Sequence, residues 1–477
     1  MRLARPNTGH RANTGRRPAR GRLRPASAAS AASAAVLSLA VAVVPAQAAD
    51  RPSAAGGAPV AAPAAGIPAV GTPAAGGLDR AALRASLEAF HRAGMYGAHS
   101  AVRDGSAQWL GAAGSADVDT RRPVRPDFEH RIGSITKTFT AVAVLQQVHR
   151  GRIGLDAPIG RYLPELIPGE RGRGVTVRML LNHTSGIGDY IPGAFPALAT
   201  DPGEALDEGR FRHWEPEELA RLGLAAEPLA ERGTYSYSNT NYIIAGLLLR
   251  KVTGEAPEDC ITREVIRKAG LRHTYFPRSA RLSGPHAKMY ESMYGYIDPA
   301  RDYSVYDMSW GGTAGAMVST MRDLNDFYRL LLGGGLLGPD ELRAMKTTVP
   351  MYAPGPGEEA RARYGLGIYT QQLPDGRWYW GHDGAVWGAG TWAMSSEDGR
   401  RQVALGFNLT KYERFDENGV PLPDPIGAAL NDYAIGALTG SFPARTTPPV
   451  PPAPGSRPAP GAPTAPRLLV VPEQPRR

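Results

Sequence analysis

The chain has 477 residues, 42% hydrophobic and 21% charged, with a formal net charge of +9. That length exceeds one simple core and predicts two lobes with appendages. The charge belongs to the ends: residues 1–49 hold eight Arg and no Lys, Asp or Glu, the tail 442–477 holds five Arg against one Glu, and 50–441 is near −3. The basic pI is therefore no argument for nucleic-acid binding.

Arg2 to Arg24 form a basic stretch, Ala34–Val44 a short apolar run, and Pro45-Ala-Gln-Ala-Ala49 carries an A-x-A site. This pattern predicts a signal peptide over 1–49 and a secreted, extracellular protein. The apolar run is too short for a stable membrane span. Residues 50–77 are dominated by Ala, Pro and Gly and read as a disordered linker. Cys260 is the sole cysteine, so no intramolecular disulfide forms. It has no basic activating neighbour in sequence, and a packing role is expected.

Leu78, Leu83, Leu87 and Phe90 have helical spacing. Strands are predicted at Gly97–Val102 and Ala107–Ala112, turning at Asp104-Gly105. Ala141–Leu145 reads as a buried helix, which puts Ser134 near its first turn and Lys137 one turn on. Thr176 is a candidate cap for the next helix, and a further one lies near Glu215–Leu222. Asn239 or Thr240 is placed to cap a strongly apolar helix over Asn241–Val252. Helices are expected at Pro257–Ala269, Thr320–Leu332 and Asp340–Met345.

From Tyr364 the pattern changes to strands: Gly365–Gln371, Arg377–Gly381, Gly390–Met394 and Arg401–Phe407, with turns at Asp375-Gly376 and Asp398-Gly399. Pro425–Leu438 reads as a closing helix capped by Asp424. Strands near both ends with helices between them predict an α+β fold, an α/β sandwich. In it an antiparallel sheet is flanked by N- and C-terminal helices. The globular domain covers 78–441, with an all-helical insert at roughly 150–310. The Pro-rich tail, 442–477, reads as disordered.

Three short motifs stand in chain order: Ser134-Ile-Thr-Lys137, Tyr237-Ser-Asn239 and His382-Asp-Gly384. A serine hydroxyl needs a neighbour to accept its proton, and a lysine with a depressed pKa can do so. Each motif alone is weak. In order, and with Leu180-Leu-Asn-His-Thr-Ser-Gly186, Tyr235–Tyr242 and Ser309-Trp310, they resemble the serine D-alanyl-D-alanine carboxypeptidases and class C β-lactamase-like enzymes. The resemblance covers roughly 80–440 and implies a β-lactamase/transpeptidase-like fold.

The resemblance implies roles residue by residue. Ser134 is the acyl-accepting nucleophile, Lys137 and Tyr237 move its proton, and Asn239 bonds Lys137 and the substrate. Which of Lys137 and Tyr237 is the base stays open. His382 tunes the field around Tyr237. The backbone N–H groups of Ser134 and Ala385 form the oxyanion hole. Trp310, Asp383, Gly384 and Thr410 contact substrate. No cofactor and no metal is implied. His183 is expected to be structural, satisfying the turn after Leu181.

Two positions depart from the pattern. Asp383 stands where the family usually has Thr or Ser, whose hydroxyl meets the substrate's terminal carboxylate. Tyr369 stands where carboxypeptidases place an Arg, with Arg363 or Arg377 as possible substitutes. The implied activity is carboxypeptidase or transpeptidase chemistry on peptidoglycan stem peptides, with β-lactams as inhibitors acylating Ser134. Alternatives are an esterase, β-lactamase or D-amino-acid amidase on the same scaffold, or a non-catalytic wall-binding module. No nucleic-acid partner is implied, and a monomer is expected.

Overall fold

A computed structural model describes residues 77–355 and 358–442. The predicted signal segment, nearly all of the linker and the tail beyond 442 lie outside the described residues.

Helix α1 (Arg80–Arg92) begins where Asp79 accepts the Ala82 N–H at 2.9 Å, and its buried stripe is Leu83, Leu87 and Phe90. Strands β1 (Gly97–Asp104) and β2 (Ala107–Asp117) follow, then the short β3 (Arg122–Pro123). The turn between β1 and β2 contains Gly105 at φ +58°. The helical lobe is built on α2 (Thr136–His149) and α3 (Thr240–Thr253), with α4 (Met321–Leu332) beneath the sheet. The chain returns through β4 (Val349–Pro350), β5 (Ala362–Tyr364), β6 (Tyr369–Gln372), β7 (Trp378–Val386), β8 (Ala389–Ser396) and β9 (Arg401–Phe407). Helix α5 (Pro425–Thr439) closes it. Its Asp424 cap accepts the Gly427 N–H at 2.8 Å, and Pro425 occupies the first turn, where its missing N–H is harmless.

The nine strands lie in the order β3-β2-β1-β9-β8-β7-β6-β5-β4, with antiparallel neighbours. Pairing of β1 with β9, Ala101 opposite Ala404, ties the two ends of the domain together. Side chains alternate across the sheet with period two. Val102, Val403, Leu405 and Phe407 pack toward α1 and α5, while Ala101 and Ala404 pack toward the helical lobe. The small alanines let α4 lie close to the sheet, where Asn325 Nδ2 donates to Ala101 O at 2.9 Å. Helix α2 is buried nearly all round, consistent with its weak polar face. The architecture is therefore the expected helix–sheet–helix sandwich.

Three expectations need adjusting. The regular structure in 150–310 is mainly helical, but Tyr290–Glu291 and Arg301–Asp302 are strands that join Leu409–Thr410 in a three-stranded sheet. Residues Gly365–Ile368 are a turn, not the start of a strand. Gly367 has φ +73°, and a Cβ there would lie 2.9 Å from the Lys137 carbonyl oxygen, so the chain must leave extended geometry to pass α2. The Pro257 helix ends at Ile261 and continues as a π-helical turn over Thr262–Ile266. Among the described residues no helix is long and apolar enough to cross a membrane.

Candidate active site

Ser134 lies in a single 3₁₀ turn, Gly133–Ile135, that runs straight into α2. Strand β7 presses against this turn. Gly133 has φ +52°, and a Cβ there would lie 2.6 Å from Ala385 N. A Cβ on Gly384 would lie 2.0 Å from Ile132 O and 2.8 Å from Ser134 N. Only glycine permits this approach, which brings the backbone nitrogens of Ser134 and Ala385 into one small space.

Lys137 is fully buried, and its Nζ contacts Ser134 Oγ at 2.9 Å, Asn239 Oδ1 at 2.8 Å and Ala314 O at 2.8 Å. Burial lowers its pKa to about 7, against the opposing pull of Asp189 and Asp383. In the free amine, two N–H groups serve Asn239 Oδ1 and Ala314 O, which can only accept. The lone pair is then left for the Ser134 hydroxyl. Asn239 occupies the N-cap position of α3 but makes no side-chain cap bond. Its amide is engaged instead by Lys137 on one side and Asp189 on the other. Both the backbone N–H and Nδ2 of Asn239 donate to Asp189 Oδ2 at 2.8 Å.

Tyr237 is half-buried, its hydroxyl shielded from solvent and its ring 4.9 Å from Lys137 Nζ. Its hydroxyl faces Ser134 but reaches no partner at hydrogen-bonding geometry. Burial holds its pKa well above the usual phenol value, only partly offset by Ser134, so it is a neutral phenol. His183 has φ +59° and accepts from Ser238 N and Asn241 Nδ2 at 3.2 Å each through Nδ1. It packs under the Tyr237 ring at 4.2 Å between centroids, which fits the structural role expected of it.

His382 departs from its expected part. Its Nδ1–H donates to the Asp383 carbonyl, and its Nε2 accepts from the Tyr364 hydroxyl at 2.8 Å. Its ring centroid is 6.4 Å from that of Tyr237. Burial, aided by Lys137 and opposed by the Asp383 carbonyl bond, pushes its pKa down to about 3. A neutral imidazole bound to Tyr364 supplies no positive charge to Tyr237.

The Asp383 side chain retains 16% exposure, more than the 2% of its neighbour His382. Burial raises its pKa to about 7 against the stabilising effect of its own backbone N–H, Lys137 and the Tyr369 side chain. Arg363 is turned away, bonded through Nε to Thr348 Oγ1 at 2.9 Å. Arg377 lies just before β7, beside the Asp375 turn and at the strand end remote from Asp383. Neither arginine stands in for the missing one. Trp310 is buried against Trp387 and Phe195 at centroid distances of 5.0 and 5.7 Å. Thr410 has no exposed surface. Its hydroxyl donates to Glu291 Oε2 and accepts from Gly388 N–H, both at 2.9 Å, so it braces the β7–β8 turn from behind instead of lining an open pocket.

Asp189 and Tyr364 were not anticipated as site residues. Asp189 follows Gly186-Ile-Gly188, and a lone acid in a glycine-rich loop has no spacing that marks it. In the sequence Tyr364 marks only the start of a strand-rich region.

The beta-lactamase family model matches residues 80–421. The chain belongs to the beta-lactamase family. Its curated relatives in that family include penicillin-binding protein 4* of Bacillus subtilis, 29% identical over 192 residues, 39% of this chain and 38% of that one. A D-stereospecific amidohydrolase from Streptomyces sp. is 35% identical, with a TM-score of 0.66 over 76% of this chain and 99% of that one. Esterase EstB from Burkholderia gladioli is 34% identical over 217 residues, 43% of this chain and 54% of the esterase. A D-aminopeptidase from Brucella anthropi is 27% identical over 326 residues, 64% of this chain and 55% of the relative. The chain thus spans about half the length of the esterase and the aminopeptidase.

Proposed function

We propose that this family member hydrolyses amides and esters of D-configured acyl groups whose leaving group carries no negative charge. The observation behind this reading is Asp383. It occupies the position that the carboxypeptidase pattern gives to a hydroxyl facing the substrate's terminal carboxylate. Among the described residues Lys137, when protonated, is the cation that acts on it, and the Tyr369 side chain also favours its charged form. In its ionised form Asp383 would repel a carboxylate carried by the leaving group. It would not repel ammonia, an amine or an alcohol. The 35% identical Streptomyces enzyme is described as a D-stereospecific amidohydrolase, which supports the same substrate class.

In the proposed reaction Ser134 Oγ attacks the carbonyl carbon while its proton passes to the Lys137 amine. The developing oxyanion is held by the backbone N–H groups of Ser134 and Ala385. The C–N or C–O bond breaks as the leaving group takes a proton from Lys137, with the neutral Tyr237 phenol available as relay. Water then repeats the sequence on the Ser134 ester and releases the acid. Secretion, as expected from residues 1–49, belongs to the same proposal.

D-Alanyl-D-alanine carboxypeptidase activity is the second reading, supported by the ordered motifs and by penicillin-binding relatives such as PbpX of Bacillus subtilis, 25% identical over 279 residues. A turnover panel separates the two. It compares a D-amino-acid amide, p-nitrophenyl acetate, nitrocefin and a diacylated D-Ala-D-Ala tripeptide. Amide and ester turnover above D-Ala release, all absent in Ser134→Ala, supports the first reading. D-Ala release with the highest kcat/KM overturns it.

A further inference from the structure

Asn239 has a symmetric-looking amide with two opposite duties. Its oxygen must face Lys137 if the lysine lone pair is to face Ser134. With Nδ2 turned inward, two donors would meet, and the amine would have to turn its lone pair toward Asn239. Nothing in the Lys137–Ala314 contact prevents that rotation, because Ala314 O takes only one N–H. The choice is made on the far side, where Asp189 Oδ2 accepts both the Nδ2 and the backbone N–H of Asn239 at 2.8 Å. The other carboxylate oxygen accepts the Ile191 N–H at 2.9 Å. Asp189 is itself buried and offers acceptors alone when ionised.

We propose that Asp189 is a positioning residue of the acyl-transfer site: it locks Asn239 in the amide orientation that aims the Lys137 lone pair at Ser134. It also places a negative charge behind Asn239. That charge raises the Lys137 pKa against the stronger effect of burial. The other groups facing Lys137 are known. His183 from the Leu181 turn and His382 from β7 are neutral by burial. Asp383 from β7 acts in the same direction as Asp189. The rings of Tyr237 and Tyr242, from the loop and first turn of α3, lie 4.9 and 5.7 Å from Nζ.

The inference rests on the proposed acyl transfer, but one arm of its test does not. The chain has six lysines, so [13Cε]-lysine labelling of the full-length protein gives few resonances, and Lys137→Arg assigns the relevant one. Asp189→Asn preserves shape but lets residue 189 present a donor to Asn239. Expected is a Lys137 pKa lower by about one unit, with kcat/KM on the D-amide reduced at least about tenfold, mainly in kcat. The acid limb of kcat/KM moves to lower pH with the lysine. Asp189→Glu keeps the charge and misplaces it, so the Lys137 pKa stays within about half a unit of wild type while kcat/KM still falls. A Lys137 titration unchanged in Asp189→Asn overturns the inference. So does an Asp189→Asn kcat/KM within about twofold of wild type. If the wild type turns over none of the panel, the functional reading fails, and the NMR titration still decides the role of Asp189. If Asp189→Asn does not fold, Asp189→Glu decides: wild-type kcat/KM in that variant overturns the inference, and loss at a preserved Lys137 pKa supports it.

Discussion

His382 Nε2 accepts a hydrogen bond from the Tyr364 hydroxyl at 2.8 Å, while its Nδ1–H is tied to the Asp383 carbonyl. Both ring nitrogens are thereby spoken for, and the tautomer follows from the partners, since a carbonyl can only accept. The imidazole is a neutral brace between β5 and β7. His382→Gln, which retains an acceptor for Tyr364, is expected to reduce kcat but leave the acid limb of the pH–rate profile within about half a unit. A larger shift in kcat/KM against pH would mean that His382 carries charge after all.

Lys137 sets that acid limb. Its pKa of about 7 means that the free amine, the form able to accept the Ser134 proton, grows in as pH rises through neutrality. We expect kcat/KM to rise tenfold per pH unit below about 7 and to level above it. Lys137→Ala should lose at least about a thousandfold. Lys137→Arg should not recover it, because a guanidinium stays protonated. Stopped-flow or steady-state profiles from pH 5 to 9 measure all three.

Tyr237 is a neutral phenol whose hydroxyl has no fixed partner. Its removal therefore leaves no buried group newly unsatisfied, and Tyr237→Phe should fold with a near-normal melting temperature. Its value as a relay is greatest when the leaving group is a poor one that must be protonated. The variant should lose about a hundredfold on a D-amide and less than about tenfold on a p-nitrophenyl ester. Equal losses on both substrates would remove Tyr237 from leaving-group protonation.

Spacing made Ser134 and Lys137 legible, since residues three apart at a helix start share a face. The continuous apolar run after Asn241 made α3 legible for the same kind of reason. What stayed hidden depends on contacts distant in sequence. Asp189 meets Asn239 across fifty positions, and Tyr364 reaches His382 from a different strand. Gly365–Ile368 alternates like a strand, yet it must turn because α2 passes beside Gly367. Thr410 matched a pocket pattern, and only the buried Glu291 beside it shows that its hydroxyl is already used.

Gly384 is the point where β7 touches the nucleophile turn. A methyl there would sit 2.0 Å from the Ile132 carbonyl, a backbone atom that cannot rotate aside. Gly384→Ala should push β7 away from Ser134 and widen the space between the two oxyanion donors. The expected loss is at least about a hundredfold in kcat, the scale of losing one such donor. Activity and a crystal structure of the variant check both halves. Wild-type turnover would show that the strand can shift without harm.

His99 of β1 and His130, four residues before Ser134, lie buried with ring centroids 5.3 Å apart in an edge-to-face arrangement. His130 Nε2 donates to Gly390 O at 3.0 Å, whereas His99 Nδ1 has no partner. Burial lowers both pKa values, that of His130 to about 4, and the His130 ring further disfavours charging His99. The unfolded chain binds these protons near pH 6.5, and the folded one binds them only at much lower pH. The sign is therefore fixed: stability is complete above about 6.5 and is lost as pH falls toward 4. For His130 the full loss is on the order of 3 kcal/mol. Thermal melts from pH 7.5 to 4.5 should show a steep decline in wild type and a shallower one in His130→Gln, which keeps a donor for Gly390. Parallel declines in the two proteins would place the acid sensitivity elsewhere.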